Sequence, residues 1–228
     1  ALLMQQYRLA NYVDEYTYRA HLVPINSEYG FHGAMASLPN LSTFKRVEDY
    51  QAYISRLNAL KPYFDQQIAY MKQALKEGYT QPKVVLKGFE NSVASYIVEN
   101  AEDSGFYSPF TRFPEYFTDE QKSALTEQGK AAINSSVLPA YQMFYDFMVD
   151  EYIPSAREDI AANNWPDGVA YYANRAKHYT TTDMTPQEIH DLGLSEVKRI
   201  RAQMQQIVDE LGFDGDINDF ITFLREDP

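Results

Sequence analysis

Apolar side chains recur every three or four residues along most of this chain. From Val47 to Glu77 the positions Val47, Tyr50, Ile54, Leu57, Leu60, Phe64, Ile68, Met71 and Leu75 form one such series, the spacing that lines a single face of an α-helix. Pro62 lies inside it. Proline removes a backbone donor and crowds the preceding turn, yet the series keeps its phase, so the expectation is one long helix bent at Pro62. After Thr118 a second series, Leu125, Ile133, Val137, Tyr141, Phe144, Met148 and Tyr152, encloses Pro139 and ends near Pro154. Thr118 and Gln121 at its start have the spacing of a capping box. A shorter helix is expected between them, carried by Val85, Phe89, Val93 and Tyr96, opened by Pro82 and closed at Asn100.

Thr185-Pro186-Gln187-Glu188 is the sharpest local signal. Thr185 is placed to cap, Pro186 to occupy the first helical position, and Glu188 to reach back to the cap amide. The helix it opens is expected to turn Ile189, Leu192, Val197, Ile200, Met204, Ile207 and Leu211 inward and to stop at Gly212. Asp216 is expected to cap a last short helix through Phe220 and Leu224. Loops are expected over residues 21–45, 101–117, 154–167 and 179–183, and no alternating strand of useful length competes. The fold class that follows is all-α: long, kinked antiparallel helices forming an irregular multi-helix bundle, in a single domain over residues 1–228.

Composition narrows the function classes. The 228 residues are 45% hydrophobic and 23% charged, an ordinary globular balance. No run approaches the roughly 18 apolar residues of a membrane span, and residues 1–10 lack the basic start and apolar stretch of a signal peptide. Twenty Lys and Arg against 32 Asp and Glu leave a net charge of −12, which repels phosphate backbones and argues against nucleic acid as a partner. The absence of cysteine excludes disulfides, thiolate metal sites and cysteine nucleophiles, and suits an oxidising compartment. Nineteen Tyr and 13 Phe suit either packing between helices or a polar-aromatic cleft.

Few residues have the spacing of known chemistry. Helical zinc hydrolases set two His at i and i+4 with a Glu beside the first; His21, His32, His178 and His190 do not. Scattered histidines of this kind are expected at the surface or in satisfied core positions. The acids from Asp214 to Asn218 begin like a calcium loop, but Asp219 and Arg225 stand where Gly and Glu are needed. Asp150 and Glu151 are neighbours on a helix, so they point about 100° apart and suit a solvated face. No phosphate-cradling glycine loop or nucleophile elbow occurs. Two segments remain. Residues 106–117 carry six aromatic rings in a proline-marked loop, which either plug the ends of neighbouring helices or wall a cleft. Gly168 to Tyr172, running into His178-Tyr179-Thr180-Thr181-Thr182-Asp183, gathers phenols, an imidazole and hydroxyls that could bind a substrate or brace the turn. Tyr171, Tyr172 and His178 are the candidates to line a substrate cleft.

The string Gly168-Val169-Ala170-Tyr171-Tyr172, followed by His178-Tyr179-Thr180-Thr181-Thr182-Asp183 and continuing through Thr185-Pro186-Gln187-Glu188 to Leu192-Gly193-Leu194, resembles the central signature of a bacterial family of unknown function, DUF885. Val47-Glu48-Asp49-Tyr50, Ser108-Pro109-Phe110, Val137-Leu138-Pro139-Ala140-Tyr141 and Glu151 to Arg157 resemble the family in the same order. The resemblance covers most of this chain but only the front of the family's sequence. Full-length members resemble helical zinc metallopeptidases and carry a His-Glu-x-x-x-x-His-type motif downstream, in a region this chain does not contain; the stop at Glu226-Asp227-Pro228 reads as truncation. The resemblance therefore implies the non-catalytic helical portion of a metal-dependent hydrolase acting on peptides. No cofactor or metal is expected in these residues, while zinc is implied for the full-length protein. The implied partners are the remainder of its own chain and a peptide substrate, and the implied location is the cell envelope, exported or lipid-anchored, rather than the cytoplasm. The alternative is a helical interaction or scaffold module that binds a protein partner through exposed aromatic residues.

Overall fold

The computed structural model describes residues 2–226. Helix dominates, and among the described residues the only strand-like pairings are two isolated bridges, Ile25 with Gly30 and Pro82 with Arg157. The expected all-α class holds. The chain divides into two compact units, Ala1–Gly168 and Val169–Pro228.

Unit 1 opens with α1 (Leu2–Thr17), a helix that the apolar spacing did not announce, and continues through a 3₁₀ turn at Ala20–Leu22 to the short helices α2 (Phe31–Ala36) and α3 (Leu38–Leu41). Residues 21–45 are therefore not the plain loop expected. The long series then splits into α4 (Val47–Asn58) and α5 (Leu60–Glu77), with a break at Ala59. The break moves Pro62 into the first turn of α5, where a backbone N–H has no intrahelical acceptor to lose. Ser136, from the neighbouring helix, bridges the gap: its hydroxyl donates to the Asn58 carbonyl (3.2 Å) and accepts from the Lys61 amide (3.1 Å).

The third expected helix shrinks to a 3₁₀ turn at Lys83–Leu86 and α6 (Phe89–Ala94). Gly88 between them has φ +82°, a left-handed value that glycine adopts without a Cβ clash. The second long series stays helical without interruption through α7 (Asp119–Ala132), α8 (Leu138–Phe147) and α9 (Ile153–Ser155), joined by π turns at Ile133–Val137 and Met148–Tyr152. Each π turn ends two residues before a proline, Pro139 or Pro154. A widened turn makes room for a ring that would otherwise press on the carbonyl four residues earlier. The Thr118 capping box forms as expected, with Gln121 N–H donating to Thr118 Oγ1 (3.2 Å) and Thr118 N–H to Gln121 Oε1 (3.0 Å).

The core of unit 1 lies between these two long series. Tyr50, Tyr53, Leu57, Phe64 and Met71 on one side and Ile133, Val137, Tyr141, Phe144, Met148 and Tyr152 on the other are fully buried in one apolar cluster. The tyrosines do more than fill space. Tyr50 donates its hydroxyl to the Arg112 carbonyl (3.1 Å), Tyr53 to that of Phe106 (2.9 Å), and Tyr141 to that of His32 (2.7 Å). Burial raises the Tyr53 and Tyr141 phenols above their ordinary range and pushes Tyr152 up to about 12. The Tyr53 and Tyr141 protons stay in place to serve backbone carbonyls, while the Tyr152 hydroxyl accepts from the Gln81 amide (3.4 Å).

The aromatic stretch resolves as the plug. A 3₁₀ segment at Gly105–Thr111 carries Phe106 and Phe110 into the core, and Phe117 follows them. The Phe113 ring stacks on Tyr50 at 5.0 Å between centroids. Phe110 lies so close to α7 at Gly129 that a Cβ there would stand 2.4 Å from its ring.

Unit 2 begins one residue into α10 (Gly168–Thr180) and contains α11 (Pro186–Glu210) and α12 (Ile217–Glu226). Thr185 caps α11 reciprocally with Glu188: Glu188 N–H donates to Thr185 Oγ1 (3.2 Å) and Thr185 N–H to Glu188 Oε2 (2.7 Å). The turn at Gly212, φ +69°, ends α11. The Asp216 carboxylate accepts from the amides of Asn218 (2.7 Å) and Asp219 (3.0 Å) and so caps α12. One expectation fails here. The α11 stripe is not inward: Leu192, Val197, Ile200, Met204, Ile207 and Leu211 are between 39% and 64% exposed, and Val208, one position off the stripe, is buried instead. Periodicity reports that a face is apolar, not what covers it.

Candidate functional site

Helix α10 positions the three residues singled out for a substrate cleft. Tyr171 and His178 are seven residues apart, two turns of helix, and so share a face, whereas Tyr172 lies about 100° round from Tyr171. Tyr171 and His178 are half-buried and Tyr172 is exposed. The Arg175 guanidinium lies 5.7 Å from the centre of the Tyr171 ring, and the His178 ring meets Tyr179 edge-on at 4.9 Å. A cation over the face of a phenol is held by the ring's negative quadrupole.

The hydroxyls and acids that follow are engaged with the backbone and with each other. Thr180 Oγ1 donates to the Ala176 carbonyl (2.8 Å), and Thr182 Oγ1 accepts from the Met184 amide (3.4 Å). Lys177 and Asp183 pair at 2.7 Å. The Lys177 hydrogen bond holds the Asp183 carboxyl below its ordinary range, and the Thr185 amide does the same for Glu188. Thr181 turns the chain at φ +56°. This segment braces the turn into α11.

A hollow lies in unit 1, around His32. It holds about 360 Å³ and is lined by Tyr29, His32, Lys87, Ser92 and Tyr96 among others. Ser92 Oγ lies within hydrogen-bond distance of both the Phe89 carbonyl (2.6 Å) and His32 Nε2 (3.0 Å). The other ring nitrogen, Nδ1, is buried and meets no hydrogen-bond partner among the described residues. Gly30 lies against that edge, where a Cβ would come within 2.4 Å of the ring. Phe31, Phe89, Tyr96 and Phe144 surround the ring. Burial pushes the His32 pKa down to about 4, so the ring is neutral near pH 7. Ser92 also reaches a carbonyl, and among the described residues no carboxylate is hydrogen-bonded to the ring, the third member of a nucleophile, base and orienter set. A larger, mostly apolar groove of about 610 Å³ adjoins it through Lys87 and Gly88 and is lined by Lys83, Leu86, Tyr145, Val149 and Ile153.

The other histidines are dispersed. His21 stacks on Tyr16 at 4.2 Å, and His190 is exposed on α11. Among the described residues no group of three or more His, Asp or Glu is placed to hold a metal ion. The zinc that the family resemblance implies for the full-length protein finds no such set among these residues. The sequence did not disclose the His32 hollow. Ser92 is 60 residues from His32 and Tyr141 is 109, so no local pattern joins them.

A sequence profile described as "Bacterial protein of unknown function (DUF885)" matches residues 1–228. The chain belongs to the DUF885 family. Among solved structures, the DUF885 chain is similar to one described as "the putative lipoprotein from Colwellia psychrerythraea", with 25% sequence identity and a TM-score of 0.66. The match covers 84% of this chain and 33% of the other, so the DUF885 chain spans about a third of that neighbour's length. No curated protein matches. The residues that carry the family resemblance lie partly in the unit 1 core, at Val137–Tyr141, and partly on α10, the capped turn and α11.

Proposed function

We propose that this DUF885 chain is the helical, non-catalytic part of a metal-dependent hydrolase that acts on peptides, and that it forms one wall of the substrate cleft. The observation that carries this reading is one of extent: the family profile matches residues 1–228, and 84% of the chain matches only 33% of a solved neighbour. The helical units supply a scaffold without a metal-holding set among the described residues, and the metal ligands and catalytic base are assigned to the rest of a longer protein. On α10, Tyr171, Tyr172 and His178 offer phenol and imidazole groups to a peptide backbone. An envelope location goes with the reading: the neighbour is described as a lipoprotein, and no helix of the described residues is long and apolar enough to cross a membrane.

The test compares the complete gene product with the 228-residue chain. Zinc content and hydrolysis of a mixed peptide library are measured for both. Chelator-sensitive hydrolysis is expected in the complete product alone, and Tyr172→Phe or His178→Ala in that product should lower turnover while leaving the melting midpoint nearly unchanged. A complete product free of metal and without hydrolytic activity would overturn the reading in favour of an interaction module. Loss of folding in step with activity would return Tyr172 and His178 to a packing role.

A further inference from the structure

The apolar stripe of α11 has a definite geometry. Ile189, Gly193, Val197, Ile200, Met204, Ile207 and Leu211 succeed one another at intervals of 4, 4, 3, 4, 3 and 4 residues, a mean of about 3.7 that keeps them on one face of the helix, with Leu192 at its edge. No charged residue interrupts it. The opposite face carries Asp191, Lys198, Gln205, Gln206 and Asp209. Ile200 and Ile207 remain 45% and 54% exposed. At Gly193 an added Cβ would meet nothing within 4 Å, so the backbone is open to close approach there. Over 25 residues, at about 1.5 Å each, the face is far longer than a chance scatter of surface apolar side chains needs to be.

We propose that this face is the seat of an amphipathic helix from the remainder of a longer chain, in the part that corresponds to the two thirds of the Colwellia lipoprotein left unmatched. A helix fits such a stripe along its length, because the ridges of side chains on one helix seat in the grooves of another. The extent of the solved neighbour supplies the chain: 33% of it is matched here. A second copy is the less favourable occupant, because two chains of net charge −12 repel on approach. The inference rests on the reading above that a longer protein exists, but it concerns assembly and not catalysis.

The test uses the lack of native cysteine in this chain. Ile200→Cys and Ile207→Cys are made singly, with Lys198→Cys on the opposite face as control, both in the 228-residue chain and in the complete gene product. The labelling rate with a thiol reagent is read by mass at the labelled peptide, and circular dichroism confirms that each variant folds. Labelling of Cys at 200 and 207 should slow by about tenfold or more in the complete product, as expected when a packed face must open before it reacts, while the Lys198 control labels at the same rate in both. Equal rates at 200 and 207 in the two proteins overturn the proposal. So does a 228-residue chain that sediments as a dimer and shields these sites by itself, which makes a second copy the occupant, or a gene that encodes nothing beyond residue 228. These readouts do not depend on hydrolysis, so a catalytically silent protein with a shielded seam would refute the hydrolase and keep the interface.

Discussion

His32 binds protons very differently in the folded and unfolded chain. The unfolded chain protonates it near the ordinary value of 6.5, whereas burial pushes the folded value down to about 4. As pH falls through that window the unfolded state takes up a proton that the folded state refuses, so stability is present in full above pH 6.5 and is lost toward pH 4. Urea midpoints should fall by the equivalent of about 2 kcal/mol at most between pH 7 and pH 5, and His32→Phe should remove most of that slope. An equal slope in both proteins would show that the ring is solvated. Residues of this kind were illegible in the sequence, because the hydroxyl that His32 meets and the phenol that meets its carbonyl are 60 and 109 positions away. Thr185 was legible for the opposite reason: its partner, Glu188, is three residues on.

The break at Ala59 and the two π turns show how prolines are absorbed at the scale of elements. Phase continuity across Pro62 correctly placed both halves against one core, and Tyr50, Ile54, Leu57, Leu60, Phe64, Ile68 and Met71 are all buried. It could not show that the backbone would break, because the break is held by Ser136 from another helix. Ser136→Ala should therefore cost about 1–3 kcal/mol, the usual loss when buried backbone groups are left unpaired, and Ser136→Thr less if its hydroxyl keeps both bonds. Denaturant midpoints of the two variants decide it. A loss below about 0.5 kcal/mol would mean that water replaces the hydroxyl. The aromatic loop follows the same logic: its rings could be counted from the sequence, but their destination was decided by the space over Gly129 and beside Tyr50.

Across the whole molecule, burial is concentrated in unit 1. Its long helical series share an extensive apolar cluster, while Val208 is the sole buried residue described between residues 169 and 226. Local opening free energy follows buried contacts, so amide hydrogen exchange in the 228-residue chain should be fast across α10, α11 and α12 and slowest in peptides covering α5 and α8. Equal protection throughout would mean that unit 2 is covered in solution, by a second copy or otherwise. In the complete gene product, α11 should gain protection.

Local physics determined what the sequence could reveal by itself. Apolar periodicity set the helical class, and side chain to backbone bonds across three residues set the caps at Thr118 and Thr185. Tyr171, Tyr172 and His178 could be placed beside a capped turn for the same reason, and the bracing of that turn by the neighbouring threonines, through backbone groups two to four residues away, was one of the two readings the sequence offered. The tertiary structure alone decided where the long helix breaks, which aromatic rings plug the core, how a buried imidazole is paired, and that the stripe of α11 stays exposed. Each depends on residues far apart in sequence or on a surface from outside these residues, and a period of three or four carries information about neither.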